Sequence, residues 1–169
     1  KIASVAHFGP GGRSEHRMSD ALRKRVRSNK LLADLEEVGD WHMGTQGDGN
    51  HFSFVGVSEN TGETRLVTHH GSRGFGARLY KNGMGIAERY RRKLSPQTMK
   101  HSAWIPRGTD DFDEYWDALM IVQDWTRENH DVVHQGCDFI QWNVHNFVFE
   151  WSDGLLAHAK GATPARSGE

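Results

Sequence analysis

The clearest alternation of hydrophobic and polar positions lies in His51–Val57, which is rich in Phe and Val. Thr64–Thr68 is a second run of β-prone residues. The intervening Ser58–Gly62 contains asparagine and glycine, which tolerate the left-handed backbone angles of tight turns. Two short β-prone runs separated by turn residues predict a β-hairpin, here centred near Asn60.

This predicted hairpin brings two histidines together. With the turn centred near residue 60, His51 and His69 face each other at the open end, where opposed Cα atoms lie roughly 4.5–5.5 Å apart. Each histidine adjoins a glycine-rich segment, Gly44–Gly49 or Gly71–Gly76. Imidazole binds metals, and exposed backbone N–H groups bind anions. The open end of the hairpin is therefore a candidate metal site beside a phosphate-binding loop.

Helical spacing of apolar residues predicts three helices. Ser19–Val38 has Ser19 as its N-cap, and Ala77–Leu94 ends at Ser95-Pro96. Asp111–Arg127 is capped by Asp111, is expected to resume as helix up to Gly136, and has one apolar face formed by Phe112, Trp116, Leu119 and Met120. The basic runs of the first two helices are interpreted as solvated or dipole-complementing, with phosphate contact as the alternative.

A last β-prone run spans Phe139–Trp151, with Asn143, His145 and Phe147 on one face. A histidine in such an apolar run needs a partner, and a structural hydrogen bond is the general explanation. The neighbouring Asn146 favours a site instead. The expected fold class is α+β: a mixed or antiparallel sheet carries both the hairpin and this strand, with helices packed against it.

The composition indicates the class of protein but does not indicate which chemistry it performs. The chain has 169 residues, 36% of them hydrophobic, and a net charge of -1, which fits one globular domain without an overall nucleic-acid signal. Its one cysteine, Cys137, excludes an internal disulfide and indicates a reducing compartment, so a cytoplasmic location is expected. No apolar run approaches the roughly 20 residues of a membrane span. The absence of an initiating Met suggests a fragment of a longer protein.

Four motifs occur in a fixed order: Gly44-Thr45-x-Gly47-x-Gly49-Asn50-His51-Phe52, His69-x-Gly71-Ser72-Arg73-Gly74-x-Gly76, His145-Asn146 and Lys160-Gly161-Ala162-Thr163. From about Ser19 to its end, the chain resembles the RtcB family of RNA-splicing ligases. The resemblance implies an RtcB-like fold, in which residues 1–169 form a single domain from the middle of a longer catalytic domain.

Members of this family join RNA ends that bear a 3′-phosphate or 2′,3′-cyclic phosphate to 5′-hydroxyl ends. They use GTP and two divalent metal ions, typically Mn²⁺. The resemblance implies that His51 binds one metal and that His69 and His145 bind the other. It assigns Asn50 to the guanylate phosphate and Arg73 to an RNA or nucleotide phosphate, which makes both candidate catalytic residues.

Further expectations follow from the same resemblance. His145, Asn146 and Lys160 join Asn50 as candidate GTP-binding residues. The expected partners are RNA with the ends named above and an activating protein, and no membrane is expected.

The chain also departs from the family pattern. The metal motif with aspartate and cysteine is absent upstream, and the chain ends before the histidine that accepts GMP. Phe54 stands at a usual glutamate, His70 at a usual serine and Ala159 at a usual arginine. These differences indicate a central segment or a divergent member with altered nucleotide use, and the 169 residues alone are not expected to ligate RNA.

Three hypotheses remain at this stage. The chain is part of an RtcB-type ligase, or a divergent relative that binds RNA or metal without ligating. The third hypothesis is an unrelated metal-dependent hydrolase domain, in which His51, His69 and His145 do not converge.

Overall fold

The computed structural model describes residues 7–13, 15–135, 149–152 and 155–158. These contain four α-helices and two antiparallel strand pairs, which confirms the α+β class. None of the helices in this described part is long and apolar enough to cross a membrane. The elements are α1 (Asp20–Ser28), α2 (Glu36–His42), β1 (Phe52–Val57), β2 (Thr64–His69), α3 (Arg73–Leu94), α4 (Asp110–Gln135), β3 (Phe149–Ser152) and β4 (Leu155–His158), with 3-10 turns at Ala33–Leu35 and Lys100–Ser102.

The chain divides into two compact units, Lys1–Asp138 and Phe139–Glu169. The core of the first unit lies among α1, α3, α4 and the segment between α1 and β1. At its centre Trp125 is fully buried, lies 5.6 Å from Phe75 between ring centroids, and donates from Nε1 to the Gly39 carbonyl at 3.2 Å. Other core side chains include Met18, Leu22, Val26, Leu32, Leu35, Met43, Leu79, Ala118, Ile121 and Val122.

The predicted helix Ser19–Val38 is interrupted. Ser19 caps α1 as predicted, because its Oγ accepts from the Leu22 amide at 3.3 Å. Asn29 ends the helix: its Oδ1 accepts from the Leu31 amide at 3.0 Å, and its Nδ2 donates to a carboxylate oxygen of Asp117 at 2.9 Å. Side-chain hydrogen bonds of this kind compete with helix continuation. Regular α-helix returns only in α2.

The two long helices extend beyond their predicted bounds. α3 begins at Arg73, before the predicted Ala77, and ends at Leu94 ahead of Ser95 as predicted. The glycine-rich run was interpreted as a loop, but burial of Phe75 in the core stabilises helix there. Likewise, α4 runs without interruption to Gln135, so its predicted end at Arg127 is wrong.

The cap and the buried face of α4 also differ from the prediction. Thr109 caps the helix in place of Asp111, because its Oγ1 accepts from the Phe112 amide at 3.2 Å. The fully buried face carries Ala118 and Trp125, whereas Phe112, Trp116, Leu119 and Met120 are half-buried. The spacing of helix axes depends on the side chains at the contact, and a small residue such as Ala118 permits close approach.

The predicted hairpin is present, but its register is wrong by one residue. Phe52 pairs with His69 and Val57 with Thr64, so His51 does not oppose His69. Six residues, Ser58–Glu63, separate the strands, and the Ser58 amide donates to the Glu63 carbonyl at 2.9 Å. An even number of connecting residues places the centre of the hairpin between two residues rather than on Asn60. His51 therefore lies just outside the ladder.

The second unit contains a separate hairpin, in which β3 pairs with β4 from Phe149↔His158 to Ser152↔Leu155. Most of the predicted strand Phe139–Trp151 lies outside the described residues. In the described part of that strand, β3 pairs with the strand that follows it, and the prediction that the whole strand shares a sheet with the first hairpin stays a prediction. Asp153-Gly154 separates the two strands, and a two-residue Asp-Gly connection favours a tight hairpin.

The central role of Trp125 is testable with a matched pair of substitutions. Trp125→Phe should lower the free energy of unfolding by about 1–3 kcal/mol, because it removes buried ring atoms and the hydrogen bond to Gly39. Trp41→Phe, at a tryptophan that is 53% exposed, should change it by less than about 0.5 kcal/mol. Urea unfolding of both variants measures the difference, and equal effects would contradict the assigned core.

Candidate functional site

Four of the predicted site residues lie together around Gly47. A Cβ atom added to Gly47 would lie 1.6 Å from a terminal nitrogen of Arg73 and 2.8 Å from Nδ1 of His51. The rings of His51 and His69 are 5.7 Å apart between centroids, and the Asn50 amide nitrogen is 3.5 Å from Nε2 of His69. Only glycine allows these groups to approach its Cα so closely. The histidines are thus neighbours even though they are not cross-strand partners.

A buried asparagine holds the beginning of this glycine-rich loop. Asn129 on α4 is fully buried; its Oδ1 accepts from the Gly44 amide at 2.7 Å, and its Nδ2 donates to the Thr45 carbonyl at 3.0 Å. The loop conformation needs glycine, because φ is +77° at Gly44 and +92° at Gly47. Sequence analysis missed Asn129. Its signal is a short amide side chain on the buried face of a helix, where it needs hydrogen-bond partners.

Arg73 is a half-buried cation whose hydrogen-bond partners are neutral. Its Nε donates to the Thr45 hydroxyl at 3.0 Å, and one terminal nitrogen lies 3.5 Å from the Gly9 carbonyl and 3.4 Å from the Gly11 carbonyl. No carboxylate in the described residues lies within 4.0 Å of it. Burial lowers the pKa of Arg73, and the more distant Asp48 opposes that shift. The guanidinium remains charged, and the described residues supply no counter-ion for it.

The backbone of Arg73 is also unusual. Its φ is +52°, which makes it the non-glycine residue with positive φ among those described. This conformation is unfavourable for a side chain with a Cβ, and such strain is typical of functional sites. The Gly9–Gly11 loop, which was not among the predicted site residues, lies against the site: the Gly9 amide donates to the Gly47 carbonyl at 2.9 Å.

The two histidines are suited to metal binding. Nδ1 of His51 is buried and has no hydrogen-bond partner in the described part of the chain. Burial lowers the pKa of His51 and outweighs the opposing effect of the nearby Gln46 backbone, so the ring is neutral near pH 7 and keeps a lone pair. His69 stacks on Phe52 with 5.5 Å between ring centroids, which orients its ring.

The ligand set within the described residues is incomplete. They contain no group of three or more His, Cys, Asp or Glu side chains arranged to hold a metal ion. His145, Asn146 and Lys160, which the sequence assigned to metal or GTP, lie outside the described residues. The structure therefore brings together Asn50, His51, His69 and Arg73.

A second group of histidines supports the end of β2. His70 is 4% exposed, and its ring centroid lies 3.8 Å from that of His130 on α4. His130 bonds through Nε2 to the His70 carbonyl at 2.8 Å, and His134 bonds through Nε2 to the Thr68 hydroxyl at 3.0 Å. Burial, reinforced by the neighbouring histidines, lowers the pKa of His70 to about 2. These neutral rings anchor to α4 the strand that carries His69.

Most cations of the basic runs noted in the sequence pair with carboxylates. Of the first run, which comprises Lys24, Arg25, Arg27 and Lys30, Arg25 and Arg27 each lie 2.6 Å from a carboxylate oxygen, and Lys30 lies 3.8 Å from one. Of the second run, Arg91 and Arg92 both pair with Glu88, and together they hold the pKa of Glu88 near 2. These ion pairs favour a structural role for the paired arginines. Arg73 differs from these arginines, because its hydrogen-bond partners in the described residues are neutral.

A sequence profile of the family described as tRNA-splicing ligase RtcB matches residues 6–147. The chain belongs to the RtcB family. It is 29% identical over 178 residues to the tRNA-splicing ligase RtcB of Aeropyrum pernix, covering 82% of this chain and 37% of that protein. It is 27% identical over 179 residues to the Methanopyrus kandleri protein of the same name, covering 79% of this chain and 18% of that protein.

A bacterial relative gives a similar result. The RNA-splicing ligase RtcB of Escherichia coli K12 is 29% identical over 151 residues, covering 76% of this chain and 37% of that protein. This RtcB-family chain therefore spans between 18% and 37% of the length of these relatives. The matched region includes every described member of the site. It also includes Phe54, whose side chain is 59% exposed on β1.

The close packing at Gly47 predicts a difference between two glycine substitutions. Gly47→Ala and Gly49→Ala both place a Cβ on a left-handed backbone, with φ of +92° and +78°, which costs about 1–2 kcal/mol. Only the alanine at 47 also displaces the Arg73 guanidinium, since a Cβ at Gly49 meets nothing within 4 Å. We expect Gly47→Ala to lower the free energy of unfolding by about a further 1–3 kcal/mol in urea titrations. Equal losses would contradict the packing described.

Proposed function

We propose that this chain forms part of a GTP- and manganese-dependent RNA ligase, which joins 3′-phosphate or 2′,3′-cyclic phosphate ends to 5′-hydroxyl ends. The observation that carries the proposal is the half-buried Arg73 guanidinium, which has no carboxylate partner among the described residues and lies beside the imidazoles of His51 and His69. Relatives named as RNA- or tRNA-splicing ligases support the RNA substrate. Since the chain spans 37% or less of these relatives, its own proposed part is phosphate and metal binding.

Arg73 is proposed to bind the terminal phosphate of the RNA. Its planar fork of N–H donors matches the oxygens of a phosphate, and its half-buried position strengthens the attraction relative to bulk water. The Thr45 hydroxyl and the Gly9 and Gly11 carbonyls hold the fork in place before the RNA arrives. Preorganised charge of this kind stabilises the charge that develops during phosphoryl transfer. Asn50 adds an amide donor for a phosphate oxygen.

His51 is proposed to hold one Mn²⁺ ion, and His69 and His145 the neighbouring one. The buried, unpartnered Nδ1 of His51 fits this role, because a neutral imidazole nitrogen is a good ligand for such a metal. When bound, the metal would neutralise charge on phosphoryl oxygens. The stacking of His69 on Phe52 keeps one ligand in place.

Asn50, His145, Asn146 and Lys160 are proposed to contact GTP. A cytoplasmic location and an activating protein partner belong to the same proposal. The alternative is a divergent RtcB-family protein that binds RNA or metal without ligating. Phe54 favours it, because an exposed phenylalanine replaces the hydrogen-bonding glutamate expected to recognise guanine. The third hypothesis, an unrelated hydrolase domain, is wrong, since the chain belongs to the RtcB family.

Arg73→Gln should abolish most of the preference for phosphorylated RNA. We expect the affinity for a short RNA with a 3′-phosphate to fall by about 10- to 100-fold, because a charge-assisted contact worth about 1.5–3 kcal/mol is lost. Affinity for the same RNA with a 3′-hydroxyl should change little. Fluorescence anisotropy with both RNAs measures the preference.

Arg25→Gln is the matched control, since Arg25 already pairs with Asp124 at 2.6 Å on the surface. It should leave the preference for a 3′-phosphate unchanged. A wild-type protein that binds both RNAs equally, or an Arg73→Gln variant that keeps the full preference, would contradict the proposed function.

A further inference from the structure

A second tryptophan has the opposite environment to Trp125. Trp41, near the end of α2, is 53% exposed, whereas Trp125 is fully buried. An exposed indole leaves a large apolar surface in water, which burial against a ligand would remove. The indole is held in place from one side, because Gly12 packs against it: a Cβ on Gly12 would lie 2.9 Å from Cδ1 of Trp41.

This tryptophan borders a pocket. The pocket has a volume of about 430 Å³ and is lined by Gly11, Glu37, Val38, Trp41, His42 and Arg78. Its volume falls within the range of small-molecule sites, roughly 300–1,000 Å³. The lining combines one flat aromatic surface with one cation and one carboxylate.

Arg78 is the cation of this pocket and is available to a ligand. It is exposed, and within the described residues no hydrogen bond or ion pair involves it. The arginines of the two basic runs are already paired with carboxylates. An aromatic side chain that stacks on a base, next to an arginine that contacts the backbone, is the combination with which proteins bind single-stranded nucleic acid.

The pocket adjoins the site around Arg73. Gly11 lines the pocket, and its carbonyl accepts from Arg73 at 3.4 Å. The His42 ring packs on Gly74, where an added Cβ would lie 2.6 Å from Cε1 of the ring. Arg78 follows Arg73 on α3 by five residues, about 7.5 Å along the helix axis. One strand can therefore reach both positions.

The carboxylate of Glu37 determines how such a strand is oriented. A phosphate near Glu37 would be repelled, whereas an amino group on the edge of a base would be accepted as a hydrogen-bond donor. We propose that a nucleobase of single-stranded RNA stacks on Trp41 next to Glu37, with its phosphate at Arg78, while the 3′-terminal phosphate lies at Arg73. This inference rests on the proposed function and extends it to the neighbouring nucleotide.

The test compares 3′-phosphorylated octaadenylate with the same strand made abasic at its two 3′-terminal nucleotides. Wild-type protein should bind the complete strand about 5- to 150-fold more tightly, the range expected for one stacked base. Trp41→Ala should remove this difference, and Trp41→Phe should keep most of it. Arg78→Gln should weaken binding of both strands and reduce the dependence on salt.

Met99→Ala and Lys93→Gln are matched controls, because they change an exposed apolar residue and an exposed cation outside the pocket. Neither should change the difference in affinity between the two strands or the salt dependence of binding. If wild type prefers a 3′-phosphate to a 3′-hydroxyl but Trp41→Ala keeps the full effect of the bases, the inference is overturned and the proposed function stands. If the bases matter through Trp41 but the 3′-phosphate does not, the nucleobase pocket stands and the proposed function fails. An indole shielded from acrylamide in the free protein, or no binding of any strand, also overturns the inference.

Discussion

The site depends on the packing of the Arg73 guanidinium against the Cα of Gly47. This contact places a cation beside His51 and, through the hairpin, beside His69 and Asn50. It requires a glycine at position 47, because any Cβ there would occupy the space of the guanidinium. Asn129 fixes the preceding loop from inside the core, so the position of Arg73 is coupled to the position of α4. The packing of the core therefore helps to determine the geometry of the site.

The same contact leaves a charge that no carboxylate in the described part of the chain neutralises. A half-buried cation loses part of its hydration and is usually paired with a carboxylate. The arginines of the basic runs follow that pattern, and Arg73 does not. Its neutral acceptors orient it without cancelling its charge. The natural complement is an anion from solution, and a phosphate group fits the geometry of the guanidinium. The RNA end of the proposed function would supply such a phosphate.

The sequence predicted much of the site because its signals are local. Alternation and turn residues predicted the hairpin, and family motifs predicted that His51, His69 and Arg73 belong together. The register was wrong because the turn contains an even number of residues, which periodicity alone does not determine. The buried face of α4 was misassigned because large aromatics suggested a core that Ala118 and Trp125 form instead. Asn129 and the Gly9–Gly11 carbonyls were missed, since their roles depend on contacts between segments distant in the chain. His145, Asn146 and Lys160 stay predictions.

The positions of Arg73 and Arg78 indicate how RNA would lie on the proposed site. Arg73 and Arg78 lie on the same helix, and Gly11 contacts Arg73 and lines the pocket of Arg78. A strand that enters past Trp41 would place its end at the histidines.

Relaxation of ³¹P nuclei by Mn²⁺ reports this arrangement directly. With wild-type protein, substoichiometric Mn²⁺ should broaden the terminal 3′-phosphate resonance of a bound RNA more than the internal phosphodiesters, beyond the effect in free RNA. The difference should vanish in a His51→Ala, His69→Ala double variant and persist in His101→Ala, which changes an exposed histidine. Uniform broadening of all phosphates, or the same selective broadening in the double variant, would show that no metal at these histidines meets the RNA end.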